Sequence, residues 1–336
     1  MKYLCLISRI TQVRQALVLE FMKETFTSKE PAKLLVIAAF TALFIVWGST
    51  YLGIMIAIKS IPPFFMLGTR FFVAGIILYL WRLLKGEKSP SLKSFGTIGL
   101  GGILMLFIGN GAVTWSEQYL ASGLVAIIVA TVPLWFVILD KRQWNFNFSN
   151  KLIILGFVTG FAGVLLLFAG KGTGSLLNNK LKLISFCVLV TGTIGWAIGS
   201  LYSKYKQVDA SVTMKAAVQM LAAGIAALLT GLITNEQENF IANNITPQSL
   251  FALLYLIIMG SLVTYMAYVW LLSVRPPALV GTYAYINPIV AVFLGWLIAD
   301  EIITQQQLIA LAVILAGVIL VNFSKEQKKV IASETE

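Results

Sequence analysis

Apolar residues in this chain fall in long unbroken runs, with little of the two-residue alternation of a half-buried strand. Ten runs can be read: 34–58, 62–84, 95–115, 120–139, 151–169, 181–204, 213–233, 250–272, 278–299 and 307–323. A hydrocarbon layer about 30 Å thick takes roughly 20 apolar residues as a helix, so each run predicts one crossing. Charged or turn-rich stretches such as 85–93, 140–150, 171–180 and 235–248 separate them. Ten such helices use roughly 200 residues, so the connections are short and none can hold a separate soluble domain. The expectation is an all-α membrane protein of ten transmembrane helices.

Composition agrees. Of 336 residues, 58% are hydrophobic and 12% charged, with a mean hydropathy of +0.87. Soluble chains carry about 25% charged residues, so a soluble enzyme is excluded. Histidine is absent, which removes the commonest general base and most metal sites. Cys5 and Cys187 allow at most one disulfide, and Cys187 sits in an apolar run where a thiol is expected to pack inertly. There is no Gly-x4-Gly-Lys-Ser/Thr loop for ATP. No metal or cofactor, no enzymatic activity and no nucleic-acid partner are expected. The bilayer and a small-molecule substrate are, in a monomer or homodimer.

The net charge of +11 reads as topology. Lys2, Arg9, Arg14, Lys23, Lys29 and Lys33 precede the first run, and Arg82, Lys85, Lys88 and Lys93 follow the second. Lys141, Arg142 and Lys151 follow the fourth, Lys204, Lys206 and Lys215 the sixth, Arg275 the eighth, and Lys325, Lys328 and Lys329 the tenth. The other side has Lys59, Lys171, Lys180 and Lys182, together with Glu117, Glu236, Glu238, Asp300 and Glu301. Both termini are therefore expected in the cytoplasm. Residues 3–21 carry apolar positions at helical spacing, which suits an interfacial helix; the alternative is a start at Met22. Arg9 interrupts that stretch and no small-residue cleavage site follows, which argues against a signal peptide.

The halves resemble each other. Gly48-Ser49-Thr50-Tyr51 is answered by Gly199-Ser200-Leu201-Tyr202, and Ala112-Val113-Thr114-Trp115 by Ala267-Tyr268-Val269-Trp270. A proline, Pro133 or Pro288, stands eighteen residues after each of those tryptophans. Five spans per half is an odd number, so the second half enters from the opposite face: an inverted repeat, the architecture of many secondary transporters. The division expected is a tail 1–33, a first repeat 34–170, a linker 171–180, a second repeat 181–323 and a tail 324–336.

Trp47-Gly48-Ser49 in the first run, Arg70 after Pro62-Pro63, and Asn287-Pro288 in the ninth run resemble the EamA family of the drug/metabolite transporter superfamily over about residues 34–323. That resemblance implies an inner-membrane carrier of small metabolites, such as amino acids or drug-like amphipathic compounds, usually outward. A lipid or lipid-linked sugar translocase of the same fold is the alternative.

Arg70 is the one charge well inside a span. It reads as a bidentate partner for a substrate carboxylate, or as a structural donor to backbone carbonyls. Asn287 before Pro288 suggests a helix break that offers polar groups at the midplane, with Pro133 the weaker counterpart; Asn110, between Gly109 and Gly111, reads as packing. Trp47, Trp196, Tyr265 and Tyr285 lie deep enough to line a cavity, and Trp115 and Trp270 suit the interface. Gly156-x3-Gly160 and Gly195-x3-Gly199 read as close helix contacts within the chain, and the fifth and tenth helices as peripheral supports or a dimer contact. Every acid lies in a tail, loop or span end. Glu117 is the best candidate proton site, against the reading of a solvated loop carboxylate, for which Glu117→Gln would leave transport partly active.

Overall fold

A computed structural model describes residues 33–166, 179–206, 208–240, 244–275, 280–281 and 283–334, with side chains through Val321 other than those of Asn239 and Tyr285. The two readings of residues 3–21, most of the linker 171–180 and the Tyr285 side chain lie outside the described residues. The described chain is helical. Its principal helices are α1 (Lys33–Ala57), α2 (Pro63–Leu84), α3 (Leu92–Ser116), α4 (Ser122–Leu139), α5 (Lys151–Leu166), α6 (Lys180–Tyr205), α7 (Val212–Ile233), α8 (Pro247–Val274), α9 (Tyr283–Ala299) and α10 (Gln305–Glu334).

Seven of these, α1–α4 and α6–α8, are long and apolar enough to cross a membrane. Helix α5 follows a short helix, Trp144–Ser149, across a bend; the run Lys141–Ser149 and α5 pass the same test only together, at 98° to each other. The apolar parts of α9 and α10, Ile286–Ala299 and Gln305–Val321, are shorter. By internal contacts the chain forms a unit of residues 1–38, of which the described part is the start of α1, and a unit of residues 39–336 that holds the rest.

Within the larger unit, packing is paired. Helices α2 and α7 make the most extensive contact, followed by α5 and α10. Contact of α1 with α9 is matched by α6 with α4, and α1 with α8 by α6 with α3. Glycine makes the closest approaches. A Cβ on Gly75 of α2 would stand 2.8 Å from the Leu221 backbone nitrogen of α7, too close for any real side chain. Gly156 and Gly160 of α5 meet Gly317 of α10, and Gly195 and Gly199 of α6 meet α3, so both glycine pairs serve contacts inside the chain. Cys187 is exposed on α6 rather than packed.

Three helix ends share one device. After α2, α7 and α9 the chain turns through Gly86 (φ 83°), Asn235 (φ 57°) and Asp300 (φ 53°), left-handed positions that suit these residue types. A glutamate follows each. Glu87 accepts from the Ser211 backbone N–H (2.9 Å) and hydroxyl (2.7 Å) at the start of α7. Glu236 accepts from the amides of Phe64 and Phe65 (both 3.0 Å) at the start of α2. Glu301 accepts from Ser122 (2.8 Å) and Gly123 (3.1 Å) at the start of α4. Each carboxylate satisfies amides that a helix N-terminus leaves open, where the helix dipole favours negative charge. Helices α2 and α7 thereby cap each other.

Candidate functional site

Three helices widen into π-helical turns: Ala42–Val46 in α1, Ile103–Gly109 in α3 and Leu256–Tyr265 in α8. Such turns misalign backbone carbonyls and leave them for side chains. The Trp47 indole donates to the Gly260 carbonyl in α8 (3.2 Å). Oriented by its hydrogen bonds, the Asn287 amide donates to the carbonyls of Leu43 (2.9 Å) and Phe44 (3.0 Å) in α1 and of Tyr283 (3.1 Å) in its own helix. Gly48 lets this junction close, since a Cβ there would meet Val290 of α9 at 2.6 Å.

Beside this junction lies a small cavity of about 60 Å³. Its walls come from α1 (Trp47, Thr50, Tyr51), α3 (Asn110), α4 (Val129, Val132), α6 (Thr193, Trp196) and α9 (Tyr283, Asn287). The aromatic wall is continuous. The Trp47 ring stands 5.6 Å from Trp196, 5.1 Å from Tyr268 and 5.1 Å from Tyr283, at angles from tilted to edge-on. The Thr50 and Thr193 hydroxyls are spent on carbonyls of their own helices, Trp47 (2.6 Å) and Val190 (2.7 Å). Asn110, half-buried where the π-helical turn of α3 ends, lines the cavity, and its side-chain amide has no hydrogen-bond partner among the described residues. The lining has no charged residue.

The structure thus brings together Trp47, Trp196 and Asn287 of the expected residues, and separates others from them. Arg70 is outside the lining. It is 2% exposed, its Nε donates to the Ser261 hydroxyl of α8 (2.9 Å), its guanidinium carbon lies 4.8 Å from the Phe71 ring centre, and Nη1 has no partner. The guanidinium serves the contact between α2 and α8. Tyr265 is also behind the wall, where its hydroxyl donates to Gln219 of α7 (2.7 Å) and its ring stands 6.3 Å from Tyr268. The two prolines exchange roles. Helix α9 runs unbroken through Pro288, whose missing N–H leaves the Ala284 carbonyl without its usual intrahelical donor. Helix α4 breaks instead, into Ser122–Val129 and Val132–Leu139, with Pro133 at the second position of the new segment, where a missing N–H costs little. Asn110, Tyr51, Tyr283 and Tyr268 were missed. Asn110 stands alone between two glycines, which suited packing equally well, and the tyrosines were hidden in a chain rich in aromatics.

Glu117 ends α3 as its C-cap. It is 6% exposed, and neither carboxyl oxygen has a hydrogen-bond partner. The solvated reading is therefore overturned: the side chain is buried and not turned out to water. Burial pushes this carboxyl well above the usual range, the Glu301 charge adds to the rise, and the Arg70 charge opposes it.

Two more concavities are present. One, of about 330 Å³, opens among Lys204, Lys206, Lys215, Ser203 and Gln219. The other is an apolar groove of about 640 Å³ between α2, α3 and α6 that shares Gly192 with the central cavity.

A helical bundle with apolar flanks around an uncharged polar-aromatic cavity is the form of a membrane carrier, and sequence comparison agrees. The chain belongs to the EamA-like transporter family, whose model matches residues 33–169 and again 183–323. It is 38% identical to the inner membrane transporter YedA of Escherichia coli (strain K12) over 288 residues, covering 85% of this chain and 90% of that protein. It is 24% identical to the transporter YoaV of Bacillus subtilis (strain 168), over 85% of this chain and 96% of that one. A solved crystal structure shares the fold with a TM-score of 0.60 at 16% identity, covering 85% of this chain and 96% of that one. The protein is a multi-pass transporter of the plasma (inner) membrane.

Proposed function

We propose that this transporter is a ten-span secondary carrier that exports small neutral or zwitterionic metabolites with an aromatic or apolar face, by alternating access. In this reading residues 34–170 and 181–323 are inverted five-helix repeats joined by the linker 171–180, and the tails 1–33 and 324–336 are cytoplasmic. The observation that carries it is the central cavity, lined by rings and amides from α1, α3, α6 and α9 and by valines of α4, with no charged residue among the described lining. A solute of net charge would need an opposite charge or several hydrogen bonds there; an aromatic amino acid, whose ammonium and carboxylate offset each other, or a drug-like amphipath can be held by stacking surface and a few polar contacts. The paired contacts of α1 with α9 and α6 with α4 support a two-fold relation between the halves. Such halves give outward- and inward-open states of similar energy from one chain. Trp47, Trp196, Asn287 and Asn110 are the proposed contacts, and the break at Pro133 the proposed bending point; for Arg70 a structural role is proposed in place of carboxylate binding.

The test is counterflow of radiolabelled tryptophan and phenylalanine in proteoliposomes. Asn110→Ala, which removes the free amide, is expected to lower the rate constant for flux about tenfold, the worth of one hydrogen bond to a buried group. Equal flux in wild type and variant would remove Asn110 from the site. A second reading, lipid or lipid-linked sugar translocation, draws on the apolar groove that meets the central cavity at Gly192. Flipping of a fluorescent phospholipid, without counterflow of either amino acid, would favour it.

A further inference from the structure

We propose that Glu117 is a proton-binding site that couples proton movement to the opening and closing of the bundle face where α3 ends and α4 begins. The inference rests on the transporter reading and goes beyond it by naming the coupling ion and its seat.

The geometry is specific. Glu117 is nearly sealed from water, and both of its oxygens lack any donor. An ionised carboxylate left so is costly, because nothing replaces its lost hydration. The other acid on this face, Glu301, is fully engaged: its two oxygens take the Ser122 amide, the Ser122 hydroxyl (2.7 Å) and the Gly123 amide. The Glu301 carboxylate is thus held on the α4 N-terminus, and its charge opposes a second one at Glu117. The opposing influence is Arg70 on α2, whose guanidinium is already bound to Ser261. From α1 the titratable group within electrostatic reach is Tyr51, which lines the central cavity. Arg70, Tyr51 and Glu301 are thus the charged or titratable groups that act on Glu117 from the packed elements. One sits in the cavity wall and one holds the start of α4.

Two states follow. With the face closed, as here, Glu117 holds its proton. When α4 and the Glu301 segment part, water reaches the carboxyl, its ionised form is solvated, and the proton leaves to bulk. Closing the face again requires a proton to return to the carboxylate oxygen. A proton gradient thereby biases the open–closed equilibrium, which is what coupling demands of an ion. Substrate in the cavity acts on the same equilibrium, because Tyr51 lines the cavity within electrostatic reach of Glu117, and α4, whose start Glu301 holds, lends Val129 and Val132 to the cavity wall.

The experiment uses the full chain in proteoliposomes. Infrared spectra of wild type and Glu117→Gln at neutral pH are expected to differ by the carbonyl stretch of one protonated carboxyl; no difference would show Glu117 ionised and overturn the proposal. Counterflow of labelled tryptophan and phenylalanine is then followed against pH, with matched pH inside and out. Wild type is expected to vary about tenfold over the neutral range, and Glu117→Gln to have a flat profile at whatever flux it retains. Glu117→Asp is expected to restore the pH dependence in part. A profile in Glu117→Gln as steep as in wild type would overturn the proposal with the transporter reading intact. Absence of counterflow in wild type would count against the substrate class, and the infrared result would still decide Glu117.

Discussion

At the residue scale, Arg70 shows how position within a helix differs from position in a fold. A lone arginine inside an apolar run invites the reading of a substrate-binding charge. The tertiary structure gives it to helix packing and to the electrostatics of Glu117. Arg70→Ala is therefore expected to lower stability in detergent by about 2–3 kcal/mol through an unsatisfied Ser261 and lost packing, measured as melting temperature. It should not single out anionic solutes. Removing a positive charge that holds the Glu117 carboxyl down must let it rise further, so the pH profile of transport should move to higher pH. A shift to lower pH would show that Arg70 does not act on Glu117. What was legible here was the chemistry of each residue: Trp47 and Trp196 were assigned to the cavity from depth, and Asn287 from the proline that follows it. Arg70 and Tyr265 were not, because depth along a helix says nothing about which side of that helix meets the cavity.

At the element scale, the glutamates after α2, α7 and α9 had been read simply as loop charges. Each caps a helix from the neighbouring part of the bundle. The signal was present as Gly86-Glu87, Asn235-Glu236 and Asp300-Glu301, a left-handed-tolerant residue and then an acid at a helix end. Its target was not legible, since which N-terminus lies within reach depends on how the helices pack. Glu87→Ala and Glu236→Ala are each expected to cost about 1 kcal/mol, the usual worth of an N-terminal capping group. The pH dependences should have opposite signs. Burial raises the Glu87 carboxyl, but the Ser211 amide and hydroxyl and the Arg82 guanidinium, 2.6 Å away, outweigh it and hold it below its ordinary value. Its contribution is present above the unfolded-state value and is lost as pH falls through the folded one. Burial of Glu236 outweighs its two amide bonds and raises it. That contribution is full below the unfolded-state value and is lost as pH rises through the folded one. Melting temperatures against pH should show Glu87→Gln with a shallower loss in acid than wild type, and Glu236→Gln with a shallower loss on the way up to neutrality. Curves parallel to wild type would show that neither titration is linked to folding.

At the scale of the whole molecule, the proposed inverted topology makes a directional prediction. With Cys5 and Cys187 replaced by serine, a cysteine at Ser89, after α2, should react with a membrane-impermeant thiol reagent only in opened or inverted membranes. A cysteine at Gln237, after α7, should react in intact cells. Reaction of both from one side would refute the odd-numbered halves. The ten apolar runs correspond to helices in order, yet α5 and α9 are shorter in their described parts than their runs predicted. Hydrophobicity counts residues that avoid water, and a bend such as the 98° turn before α5 leaves that count unchanged.

What the sequence determined by itself was what a lipid solvent dictates residue by residue: helices, their order, the sidedness of charge and the family resemblance. Apolar runs must satisfy their own backbone within lipid, so helix formation is a local consequence of composition. The tertiary structure alone decided which faces meet. It placed the break in α4 rather than α9, gave Asn110 a free amide in the cavity, and sealed Glu117 away from water. Those outcomes depend on which faces of the helices meet, and a rotation of a helix about its axis leaves no trace in the hydropathy of its sequence.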